Sequence, residues 1–88
     1  MSTKNTNEIL KKIEECYDSF SKRQKLIADY IINYYDKAAF LTAAKLGTAV
    51  GVSESTVVRF ATELGYKGYP GFQKALEELV RTKLNSIQ

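Results

Sequence analysis

Along this chain apolar residues recur three and four positions apart, and nowhere do they alternate with polar ones over the length of a strand. A single proline in 88 residues leaves that rhythm almost unbroken. The pattern predicts an all-α fold, a compact bundle of about five helices. A first helix from about Thr6 to Asp18 lines up Ile9, Leu10, Ile13, Cys16, Tyr17 and Phe20 as one apolar face. A second opens at "SKRQ", where Ser21 and Gln24 have the order of a capping box, and runs to about Tyr35 with Leu26, Ile27, Tyr30, Ile31 and Tyr34 as its stripe. The connection "DKAAFLTAAK" offers Phe40 and Leu41 as core anchors and Thr42 as the next helix cap.

From Ala43 a short helix turns Leu46 and Val50 inward and stops at Gly51, a residue suited to a left-handed cap. After about three residues Ser53 caps another helix, so residues 43–64 read as a helix-turn-helix. Gly47 is expected where the two helices cross closely and only a small side chain fits. The last helix starts at about Pro70, whose fixed φ suits a first turn, with Phe72, Ala75, Leu76, Leu79 and Val80 facing inward. The tail "NSIQ" has neither cap nor stop, as expected of a chain cut from something longer.

Winding residues 53 to 64 at about 100° per residue puts Val57, Phe60, Ala61 and Leu64 on one face. Opposite them Ser55, Arg59 and Thr62 fall in one line, flanked by Thr56 and Glu63 on one side and Val58 on the other. A merely solvated face favours Lys and Glu in i,i+4 pairs, and this one instead surrounds one arginine with hydroxyls. Arginine can bond two acceptors on a guanine edge, serine and threonine can bond bases or phosphate, and Val58 suits a thymine methyl. The amides behind Ser53 suit a phosphate oxygen. The expected DNA-binding residues are Thr42, Lys45, Ser53, Ser55, Thr56, Arg59, Thr62 and Lys67, the last a phosphate contact just beyond the helix.

Charge changes this picture little. Thirteen Lys/Arg against ten Asp/Glu give +3, which permits an anionic partner without demanding one. Lys22, Arg23 and Lys25 cluster in the first turn of the second helix, where the helix dipole disfavours them; they are either a solvated end or a contact to phosphate or a partner. Tyr66 and Tyr69 read as half-buried plugs between helices.

Catalysis has little to work with. There is no histidine, and the serines and Cys16 have no evident activating partner, so no enzyme is expected. Cys16 reads as core packing, and the lone cysteine builds neither disulfide nor zinc site, so no cofactor or metal is expected. No apolar run approaches the roughly 20 residues that span a bilayer, and "MSTKNTNE" lacks the order of a signal peptide. A cytoplasmic protein with no membrane contact is the expectation.

The stretch "GVSESTVVRFATELGYKGY", and more broadly residues 21–76, resembles the N-terminal DNA-binding domain of the RpiR family of bacterial transcription regulators. The resemblance lies in the glycine-valine-serine opening, the threonine-valine-valine-arginine-phenylalanine core and the leucine-glycine-aromatic-x-glycine close. It implies a winged-helix-like or homeodomain-like domain, here residues 1–88, whose recognition helix maps onto Ser53 to Leu64 with Ser55, Thr56 and Arg59 facing DNA. Gly47 stands where the family more usually has alanine, and Ala61 where it often has cysteine. Family members generally add a C-terminal sugar isomerase (SIS) domain that senses phosphosugars and helps make dimers. That domain is absent from these residues, so a phosphosugar effector is implied for the full-length protein only. The resemblance thus implies a regulator of carbohydrate metabolism that binds double-stranded operator DNA as a homodimer. The alternative is a helix-turn-helix used for protein–protein interaction or dimerisation, motivated by the Ile9, Ile13 and Tyr17 face, which suits either core or seam.

Overall fold

A computed structural model describes residues 8–85, with side chains to residue 82. The expected helix start at Thr6 and the tail from residue 86 lie outside these residues. Five α-helices follow one another: α1 Glu8–Cys16, α2 Lys22–Ala38, α3 Ala43–Val50, α4 Glu54–Glu63 and α5 Gly68–Asn85, with a 3₁₀ turn at Tyr17–Ser19 between the first two. No strand, and hence no hairpin wing, occurs among the described residues.

Local chemistry sets the helix ends. Ser21 accepts from the Gln24 amide at 3.2 Å while Gln24 Oε1 accepts from the Ser21 amide at 2.8 Å, a complete capping box. Thr42 and Ser53 cap α3 and α4 by accepting from the amides of Lys45 and Thr56, each at 3.1 Å. Gly51 closes α3 at φ 86°, a conformation that penalises any residue with a Cβ. Helix α4 ends in a Schellman motif around Gly65, with the Tyr66 amide donating to Ala61 O and the Gly65 amide to Thr62 O.

One core joins all five helices. Ile9 and Ile13 of α1, Ile27, Ala28 and Ile31 of α2, Leu46 of α3, Val57, Phe60 and Ala61 of α4, and Phe72, Leu76 and Leu79 of α5 are buried together. Phe60 stands at its centre, 5.1 Å from the Phe20 ring and 5.9 Å from Phe72, with Tyr66 edge-on and Tyr69 tilted against Phe72. These contacts fix which face of α4 is hidden.

Four local expectations need correction. Phe40 is not a core anchor: its side chain is 70% exposed. The α2–α3 connection is held by its backbone instead, because Tyr69 Oη donates to Leu41 O at 2.6 Å and Gln73 Nε2 to the carbonyls of Ala39 and Leu41, both at 3.1 Å. Leu26 and Tyr34 lie at the edge of the α2 stripe and are each 46% exposed, since Ile27, Ala28 and Ile31 occupy its centre. Helix α2 extends to Ala38 across a break at Tyr34 (φ −137°, ψ 44°). Finally, α5 begins at Gly68, with Pro70 inside its first turn.

Gly47 is buried, as expected of a close approach, but its neighbour is the turn itself. A Cβ there would lie 2.6 Å from Val52 O and 3.3 Å from the carbonyl carbon and oxygen of Ser53.

Burial pushes the Tyr69 hydroxyl up to about 12, from an ordinary value near 10. The protonated form is the one that donates to Leu41. Its folded pKa exceeds the unfolded one, so its contribution to stability is complete below pH ~10 and is lost as pH rises through about 12. In urea melts across that range, Tyr69→Phe is expected to be less stable than the parent at pH 7, by about 1 kcal/mol, and the gap to close as the parent weakens at alkaline pH.

Candidate nucleic-acid interface

Helix α4 is two-sided. Val57, Phe60 and Ala61 have no exposed surface, whereas Ser55, Arg59 and Thr62 are exposed and Val58 and Thr56 are half-buried. Ser55, Val58, Arg59 and Thr62 line one open depression of about 540 Å³, and Glu54 joins them. The winding angle places the first four; Glu54 belongs to the same depression although it stands about 100° round the helix from Ser55.

The hydroxyls are already organised. Ser53 Oγ, besides capping the helix, lies 2.8 Å from Thr56 Oγ1 and 3.1 Å from Ser55 Oγ. Thr62 Oγ1 donates to Val58 O at 3.1 Å, which leaves its lone pairs outward as acceptors. Arg59, by contrast, makes no ion pair or hydrogen bond among the described residues, so its five donors are open to solvent. A free guanidinium beside a half-buried valine and two hydroxyls can bond acceptors in a plane while apolar surface packs next to it.

The remaining candidates surround this face less directly. Thr42 sits at the N-terminus of α3, its Oγ1 accepting the capping bond from the Lys45 amide, and Lys45 is exposed one turn later. Lys67 is exposed in the connection between α4 and α5. None of these three lines the α4 depression. Lys22 and Arg23 are exposed, and Lys25 Nζ lies 5.3 Å from the centre of the Tyr17 ring.

One brace escapes sequence reasoning. Gln24 Nε2 donates to Glu63 Oε1 at 2.6 Å, so the residue that completes the α2 capping box also holds the far end of α4. The Gln24 side chain therefore uses both ends of its amide. Tyr66 is half-buried, its ring carries Lys12 Nζ at 4.6 Å, and burial together with the Glu8 charge raises its pKa. Tyr66 and Tyr69 both serve packing.

Two short helices joined by a glycine turn, the second buried on one side and dressed with a free arginine and hydroxyls on the other, define a domain of the helix-turn-helix class. The model of the rpiR-family helix-turn-helix domain matches residues 7–83, and the chain belongs to that family. It is 38% identical over 77 residues to the HTH-type transcriptional regulator YfhH of Escherichia coli K12, covering 88% of this chain and 27% of that protein. With the HTH-type transcriptional regulator HexR of Pseudomonas aeruginosa it shares 34% identity over 62 residues, 70% of this chain and 22% of HexR. A solved structure of NanR from Vibrio vulnificus, complexed with ManNAc-6P, superposes with a TM-score of 0.78 at 32% identity, over 89% of this chain and 30% of that one. The chain thus spans less than a third of the length of each of these relatives.

Proposed function

We propose that this chain is the operator-binding domain of a cytoplasmic transcription regulator of carbohydrate metabolism, and that α4 reads DNA in the major groove. The observation that carries this reading is the exposed depression of Ser55, Val58, Arg59 and Thr62, held rigid because the opposite face of α4 is wholly buried. Arg59 bonds a base edge, Val58 packs on a thymine methyl, and Ser55 and Thr56 bond bases or phosphate. Ser53, Thr42, Lys45 and Lys67 hold the neighbouring backbone, and none of this needs catalysis or a cofactor. The kinship with NanR, whose structure holds a sugar phosphate, supports a phosphosugar effector bound elsewhere in the full-length protein.

The protein reads its operator as a homodimer, whose two copies of α4 meet half-sites about 34 Å apart. The interaction-module reading loses most of its support, because Ile9 and Ile13 are buried in the core and the half-buried Tyr17 donates to Asp29 Oδ1 at 2.9 Å within the same domain. Selection from a random duplex library at near-physiological salt tests the proposal. An enriched motif with two-fold symmetry is expected; weak, sequence-blind binding by a persistent dimer in sedimentation would favour the interaction module.

Lys67→Ala provides a separate check. It is expected to weaken selected and random duplexes alike and to reduce the slope of log K against log salt by about 1, as measured by fluorescence anisotropy across a salt series.

A further inference from the structure

We propose that Glu54 is a specificity-determining residue, reading an exocyclic amino group, cytosine N4, in the operator. The inference deepens the reading of α4 as the recognition helix and rests on it. Glu54 is exposed and lines the same depression as Ser55, Val58, Arg59 and Thr62. It makes no ion pair or hydrogen bond among the described residues, so Glu54 and Arg59, opposite charges on one depression, leave each other free.

A carboxylate on a surface that approaches a polyanion cannot bond phosphate, since it has only acceptors to offer. Within the major groove the base groups that donate are cytosine N4 and adenine N6, and a glutamate accepts from cytosine. The other bases present carbonyl oxygens or N7 at that depth and repel it. Glu54 thereby rejects guanine and thymine at its position as well as selecting cytosine. It stands one turn before Val58 on the same flank of the helix, with Arg59 across the stripe. The rise between Glu54 and Val58 is about 6 Å, roughly two base-pair steps of about 3.4 Å. The cytosine column is therefore expected within about two steps of the thymine that Val58 meets.

The ordinary role of an acid in a first turn is to complement the helix dipole, and that role predicts a loss of thermal stability with no change in sequence preference. Parallel selections with the parent, Glu54→Ala and Glu54→Gln separate the two, with circular dichroism confirming that each variant is folded. The parent is expected to show one column favouring cytosine by about tenfold. Glu54→Ala should flatten that column to within about twofold while the other columns persist, and Glu54→Gln should move it to adenine, whose N6 and N7 match an amide. A Glu54→Ala motif identical to the parent's in every column overturns the proposal while leaving α4 as the recognition helix. A parent with no enriched motif overturns both.

Discussion

Gly47→Val is expected to lower the stability of this domain by about 3 kcal/mol, the cost of forcing a branched side chain into a packed site. The first new carbon would lie 2.6 Å from Val52 O, and that atom is backbone, with no rotamer by which to move aside. The turn cannot shift freely either, since the amides of Gly51 and Val52 both donate to Gly47 O, at 2.7 and 2.8 Å. Relief must come from displacing α4 against α3, which would open the core around Phe60. For a domain of this size a total stability of roughly 4–13 kcal/mol is ordinary, so the loss is a large fraction of it. The melting temperature should fall by roughly 10–25 °C. Gly47→Ala should fall between the two, because alanine regains about 1 kcal/mol of helix propensity against the same contact. A Gly47→Val domain that melts with the parent would show that the turn is not tightly packed.

Much of this architecture was legible in the sequence, for reasons that lie within a few residues of each feature. Ser21 with Gln24, Thr42 and Ser53 mark helix starts because capping is local chemistry between a side chain and amides three positions away, and Gly51 marks a helix end by the left-handed backbone it adopts. The buried face of α4 followed from the helical angle alone, and Val57, Phe60, Ala61 and Leu64 are all buried. What was not legible depends on partners far along the chain. Phe40 looked like an anchor by its type, yet Tyr69 and Gln73, some 30 residues on, hold that connection by its carbonyls and leave the ring outside. No periodicity reveals that Gln24 reaches Glu63, because the bond spans 39 positions. The winding angle sets Glu54 off the Ser55–Arg59–Thr62 line, and only the shape of the surface brings it into the depression.

Arg59→Ala is expected to cost about 1–3 kcal/mol at the selected operator, some 5- to 150-fold in Kd, and to relax sequence preference at the base pair it meets. Its side chain is exposed and unpaired among the described residues, so its loss leaves no partner stranded and should barely change the melting temperature. The effect is confined to DNA. On random duplex only the general attraction of one positive charge is lost. The variant thus separates reading from folding in a way that substitutions of Phe60 or Val57 cannot, since both are fully buried.

Whether α4 reads base sequence through Arg59 is decided by fluorescence anisotropy of the parent and Arg59→Ala on the selected duplex and a random one at the same salt. The ratio of the two affinities is expected to collapse in the variant while random-duplex binding stays close to the parent's. Equal affinities for parent and variant on both duplexes would contradict it.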